Sequence, residues 1–209
     1  MEYIKLLTAL KRNNLYIFSL QDIENLFPDE NLKTLKNNLT RWLKKGRFAR
    51  IKRELYEFID PASQLAIPDL YIANKIYSPS YISLETALSI HSIIPDIAVQ
   101  VTSVTTRQTR VFKNKYGAFF YRACQKRAFT GYRIMNYEGF KVFIADKEKA
   151  LVDFVYYRLR SNGAMDLKEE RFDKNILKKI NWAKVNKYAK LFNARTLFTV
   201  KKLKERVKC

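Results

Sequence analysis

Leu32-Lys33-Thr34-Leu35-Lys36-Asn37-Asn38-Leu39-Thr40-Arg41-Trp42-Leu43-Lys44-Lys45-Gly46 is the stretch on which the reading of this chain turns. Leu32, Leu35, Leu39, Trp42 and Leu43 recur at helical spacing, so one face packs inward and the others stay polar. Gly46 after two lysines marks the helix end, where a left-handed residue and cations are both favoured. Beyond it, residues 47–51 and 55–59 are extended runs around the basic turn Lys52-Arg53-Glu54. Upstream, Ser19 is a natural N-cap for residues 20–26, with Asp22 in the first turn where the helix dipole favours an acid. Pro28-Asp29 breaks that helix, and Asp29 is expected to cap the next. Tyr16-Ile17-Phe18 is expected to form a short strand against the hairpin. Residues 2–12 predict a supporting helix with Tyr3, Ile4, Leu6, Leu7 and Leu10 on its apolar face. Helix, turn, helix and basic hairpin is the order of a winged helix-turn-helix, with one helix for the major groove and a wing beside it.

The polar residues of this unit divide by chemistry. Asn37, Asn38 and Arg41 are expected to reach base edges, because amides pair with adenine and guanidinium with guanine. Lys33, Lys36, Lys44 and Lys45 are expected to meet phosphates, which position a protein without reading sequence. Arg50, Lys52 and Arg53 in the wing would follow the backbone or enter the minor groove.

The composition agrees with a polyanion as partner. In 209 residues, 40 Lys and Arg stand against 20 Asp and Glu, a formal charge of +20, and the excess continues to the C-terminus. The apolar content, 47%, is enough for packed cores and argues against a disordered tail. No apolar run approaches the roughly 18 residues of a membrane span, and the first 15 residues are not a signal peptide, so a cytoplasmic protein is expected. Cys124 and Cys209 have neither metal-like spacing nor a disulfide framework and are expected as free thiols. No cofactor is expected.

Residues 1–60 are thus expected as the DNA-binding domain, 61–78 as a connector with a helix near 69–76, and 79–209 as a mixed α/β domain. In the last of these, Ser83 is expected to cap a helix ending near His91. Val- and Thr-rich or aromatic runs at 98–105, 111–112, 117–122, 131–134 and 140–145 predict four or five strands. Asp146 begins a helix with Ala150, Leu151, Phe154 and Val155 inward. From Asp173 onward the pattern is helical again, giving terminal helices that need a surface to cover. The fold class expected is α+β.

Three stretches, Arg50-Ile51-Lys52-Arg53-Glu54-Leu55-Tyr56, Tyr81-Ile82-Ser83-Leu84-Glu85-Thr86-Ala87-Leu88 and Ala145-Asp146-Lys147-Glu148-Lys149-Ala150-Leu151-Val152-Asp153, together resemble the AbiEi antitoxin family of type IV toxin-antitoxin systems in abortive infection. They stand in the family's order. The resemblance implies a winged domain that represses its own operon and a C-terminal domain that counteracts a nucleotidyltransferase-type toxin. The family usually has glycine where Glu54 and Ser92 stand here.

Other function classes leave weaker traces. His91 is the only histidine and fits a helix end satisfied by a backbone carbonyl. Asp146, Glu148 and Asp153 resemble a carboxylate cluster, but acids also suit a helix start and lysines are interleaved. Asp96, Glu138 and Lys141 lack the spacing of a metal-dependent nuclease. Arg107, Arg110, Tyr121, Arg122, Arg127 and Arg133 along the strands suit RNA, a protein partner or a plain polar sheet face. The reading is therefore a non-enzymatic, DNA-binding autorepressor that binds operator DNA as a pair and faces a toxin. The alternatives are a nucleic-acid-processing enzyme with a winged targeting head, and an interaction scaffold.

Overall fold

The computed structural model describes residues 2–59, 66–167 and 169–208. The chain divides into two compact units, Met1–Ile67 and Pro68–Cys209. Both are built from helices and sheet, an α+β protein with nine α-helices and two sheets among the described residues. Residues 61–65 of the expected connector and Cys209 lie outside the described residues.

The first unit runs α1 (Tyr3–Arg12), β1 (Ile17–Ser19), α2 (Leu20–Leu26), α3 (Leu32–Lys44), β2 (Phe48–Lys52) and β3 (Leu55–Phe58). Its three strands form an antiparallel sheet in the order β1-β3-β2, with Ile17 opposite Glu57 and Phe48 opposite Phe58. Leu6 and Leu10 of α1, Ile23 of α2, and Leu35, Leu39 and Trp42 of α3 close over Phe18, Phe48 and Phe58 of the sheet. Each such side chain contributes about 1.5–3 kcal/mol on burial. Phe48 sits at the centre, with the rings of Tyr3, Phe18, Trp42 and Phe58 within 6.1 Å of its own. Ile4, expected on the inner face of α1, is instead 71% exposed, because at 100° per residue it falls outside the stripe of Tyr3, Leu6, Leu7 and Leu10.

The second unit begins with α4 (Asp69–Ile76), then β4 (Ser80–Ile82), α5 (Leu84–Ile90), β5 (Val101–Thr105), β6 (Arg110–Asn114), β7 (Gly117–Ala123), β8 (Tyr132–Tyr137), β9 (Phe140–Ala145), α6 (Lys147–Asn162), α7 (Lys174–Lys178), α8 (Trp182–Ala189) and α9 (Ala194–Lys208). Six strands form a mixed sheet in the order β6-β7-β5-β4-β9-β8. The strand missing from the sequence reading is β4, which lies in the middle, antiparallel to β5 and parallel to β9. It is three residues long and buried throughout, so it shows no alternation to read. Residues 69–76, read from sequence within the connector, form α4, whose Leu70, Ile72, Ala73 and Ile76 are buried. Asn74 of α4 bonds the backbone of Phe143 in β9, fixing the helix on the sheet.

Helices cover both faces of this sheet. Tyr121 on β7 donates its hydroxyl to the Ala73 carbonyl of α4 at 2.6 Å, so it belongs to the core and not to a polar partner surface. Tyr81 on β4 points to the opposite face, toward α6. The terminal helices α8 and α9 then pack on α6 through buried Val185, Ala189, Val200 and Leu203. At Gly131, with φ +77°, a Cβ would come within 2.7 Å of the Tyr188 ring of α8, so only glycine admits this approach.

Candidate nucleic-acid interface

Helix α3 is held at both ends by its own sequence. Asn31, and not Asp29, caps the start: its side-chain oxygen accepts from the backbone N–H of Lys33 at 2.9 Å and of Thr34 at 3.4 Å. The difference lies in one turn of chain, because Asp29 falls two residues before the N-cap position. At the other end Gly46 adopts φ +68°, the Gly46 N–H bonds the Leu43 carbonyl and the Arg47 N–H bonds that of Trp42. This is a Schellman closure, which satisfies two carbonyls that the helix leaves unpaired. The preceding α2 carries a full capping box, with Ser19 accepting from the Asp22 N–H and Asp22 accepting from that of Ser19.

With Leu35, Leu39 and Trp42 buried, the opposite side of α3 faces solvent. Lys33, Lys36, Asn37, Arg41 and Lys44 are exposed on it, as is Lys45 at its C-cap, while Asn38 is half-buried. At 100° per residue, Lys33, Asn37, Thr40, Arg41 and Lys44 form the outermost strip, and Asn38 lies on its flank beside the buried stripe. Thr34 and Thr40 share the exposed side and were not singled out from sequence, although the same periodicity places them there. Two contacts order this surface. An Arg41 guanidinium N–H donates to Asn38 Oδ1 at 3.0 Å, and the Thr40 hydroxyl turns back to the Lys36 carbonyl at 2.8 Å.

The hairpin β2–β3 brings the other three expected residues together in the same unit. Arg50 and Arg53 are exposed and Lys52 is half-buried. Arg50 Nε donates to the Lys52 carbonyl at 3.3 Å, so this guanidinium lies along its own strand, and Arg53 stands 3.9 Å from Glu54 at the exposed tip. Glu54 takes φ +60°, a left-handed backbone that glycine favours. Arg47, not singled out from sequence, stacks its guanidinium 4.1 Å from the Tyr3 ring centre. No periodicity signals it, because it lies past the helix end.

In the second unit, the segments carrying the family resemblance meet in the interior. Ser83 does not cap α5 with its side chain. Its hydroxyl instead donates to Asp153 Oδ2 at 2.8 Å, beside the Tyr81 hydroxyl at 3.0 Å. Lys149 bonds the other carboxylate oxygen of Asp153 and lies 4.8 Å from the Phe192 ring centre. Burial pushes the Asp153 carboxyl up, while the Lys149 ammonium and the hydroxyls of Ser83 and Tyr81 pull it back. Leu84, next to Ser83, takes φ +57°, a costly conformation for a residue with a side chain.

The remaining acids have their own partners. Asp146 caps α6 through the Lys149 N–H and accepts from Tyr188 at 2.9 Å, with Lys184 at 2.8 Å; Glu148 also faces Lys184. Asp96 pairs with Arg171 at the surface. Asp146 and Glu148 thus share the Lys184 ammonium while Asp153 pairs with Lys149, so the three acids that resemble a carboxylate cluster in sequence each face a cation. Among the described residues no group of three or more His, Cys, Asp and Glu side chains is arranged to hold a metal ion. A cleft of about 690 Å³, lined by Ile97, Phe120, Arg122, Phe154, Tyr157 and Arg158 among others, has no histidine or cysteine in its wall. No helix among the described residues is long and apolar enough to cross a membrane.

No family model matches the sequence, and no curated protein sequence matches it. The fold is similar to the crystal structure of RV2827C protein from Mycobacterium tuberculosis, with a TM-score of 0.61, 10% sequence identity, and coverage of 97% of this chain and 75% of that one. At that identity the likeness is one of fold.

Proposed function

We propose that this protein is a DNA-binding transcriptional regulator, an autorepressor resembling the AbiEi antitoxins, acting in the cytoplasm. Its first unit is a winged helix-turn-helix, with α2 and α3 as the helix pair, α3 as the recognition helix and β2–β3 as the wing. The observation that carries the reading is the outer face of α3, where Lys33, Lys36, Asn37, Arg41, Lys44 and Lys45 stand exposed on a helix capped at both ends. A rigid helix with amide and guanidinium groups at its centre and lysines around them matches base edges flanked by phosphates. Arg50 and Arg53 stand exposed on the hairpin that follows α3.

The antitoxin part rests on the three motif stretches and on one backbone property. Glu54 and Ser92, the positions where the family usually has glycine, both take positive φ, +60° and +58°. The second unit would then counteract a nucleotidyltransferase-type toxin, with or without lasting contact. Two molecules would occupy an inverted repeat, the usual route to specificity for so small a reader.

Selection of duplexes from a random-sequence pool tests this reading. Enrichment of a two-fold site supports it. A bound pool with no enriched sequence, released steeply by salt, would mean that the charge attracts polyanions indiscriminately.

A further inference from the structure

We propose that Asn38 is a positioning residue for Arg41 and not a base reader, so that the centre of the recognition face reads guanine through Arg41 and adenine through Asn37. The inference rests on the DNA-reading function proposed above and concerns how the same surface discriminates.

Bidentate recognition of adenine by an amide needs both of its ends: the oxygen accepts from N6 and the nitrogen donates to N7. The Asn38 oxygen accepts from Arg41 at 3.0 Å, which commits one of its two lone pairs and aims the amide at its neighbour on the helix. Asn38 also lies on the flank of α3 and is half-buried, whereas Asn37 and Arg41 are exposed on the outer strip. The bond to Asn38 uses one N–H of Arg41. A guanidinium has five, in a rigid fork, so a pair remains for guanine O6 and N7. Held three residues from its own origin, the Arg41 fork is ordered before DNA arrives and loses less freedom on binding. Thr40 does not compete, because its hydroxyl is turned back to the Lys36 carbonyl.

The test uses the full chain and the duplex it selects, with each base pair substituted in turn, for wild type, Asn38→Ala, Arg41→Ala, the double variant and Asn38→Asp. Circular dichroism confirms that each variant is folded. The expected result is that Asn38→Ala relaxes the preference at the same base pair as Arg41→Ala, from roughly 10–100-fold toward parity. The double variant should be no worse there than Arg41→Ala alone. Asn38→Asp, which keeps an acceptor for Arg41, should retain the preference while weakening all sequences alike. If Asn38→Ala relaxes a different base pair, Asn38 reads a base itself and the inference is overturned while the regulator reading stands. Unchanged discrimination in Asn38→Ala overturns it equally. A wild type with no base preference anywhere would overturn the regulator reading and this inference with it.

Discussion

Asp153 accepts a hydrogen bond from Lys149, one turn earlier on α6, and neither side chain reaches solvent. The pair joins α6 to β4 through the Tyr81 and Ser83 hydroxyls, so four residues from two distant segments are satisfied at one point. Removing one partner leaves a buried charge alone, which is far costlier than removing both. Asp153→Ala is therefore expected to destabilise the second unit by about 3–5 kcal/mol, and Lys149→Met with Asp153→Leu by less than that. Denaturant titration of the two variants measures the difference. Equal losses would mean that the packing of α6, and not the charge, sets the cost.

His91 introduces a pH dependence. Its Nε2 faces the Ala145 carbonyl at 2.8 Å, an acceptor, so the neutral ring donates there. Burial holds its pKa below the usual value, and this outweighs the opposing effect of that hydrogen bond. The unfolded chain then binds a proton more readily, and stability should fall as pH drops below about 6.5 toward the lower folded value. His91→Gln, which can still donate to the carbonyl, should flatten the fall in melting temperature between pH 7.5 and 5 relative to wild type. Parallel profiles would show that other groups dominate.

Glu54 holds a left-handed backbone at the hairpin tip. That conformation costs a side-chain-bearing residue about 1–2 kcal/mol, against about 0.4–1 kcal/mol of extra unfolded-state entropy for glycine. Glu54→Gly is expected to stabilise the first unit by about 0.5–1 kcal/mol. The exposed contact to Arg53, 3.9 Å long, adds little to offset this. Glu54→Ala, which keeps a Cβ, should show no such gain in thermal unfolding.

Cys124 is a partly buried free thiol whose pKa is pushed up to about 11, first by burial and then by the nearby Asp153 carboxylate. An ordinary thiol is about one quarter thiolate at pH 8, so Cys124 should react with iodoacetamide roughly a hundredfold more slowly than a free thiol. The rate is read in a Cys209→Ser background. Alkylation at the rate of glutathione would place the side chain in water.

The helices of the first unit were legible because their signals are local. Ser19 with Asp22, and Gly46 behind Lys44 and Lys45, act within one turn of the elements they bound, and the stripe of Leu35, Leu39 and Trp42 needs only helical spacing. Asn31 was missed for Asp29 because both suit an N-cap and only the position of the first turn separates them. The second unit hid more. Ser83 looks like a helix cap in sequence, but its hydroxyl serves a carboxylate 70 residues away, which no local pattern encodes. Tyr121 reads as a strand-surface aromatic until α4 is seen to cover it. On α3, spacing places Asn37, Asn38 and Arg41 together, yet the bond from Arg41 to Asn38 appears only when the side chains are placed.

The most direct test of the central claim is competition binding of the full chain to its own upstream DNA against scrambled duplex at fixed salt, beside Asn37→Ala/Asn38→Ala/Arg41→Ala. The account expects wild type to prefer its own DNA by about a thousandfold or more, the range of site-specific binders, and the triple variant to bind both duplexes at the wild type's scrambled-DNA level. Equal binding of wild type to both duplexes, unchanged by the substitutions, would contradict it.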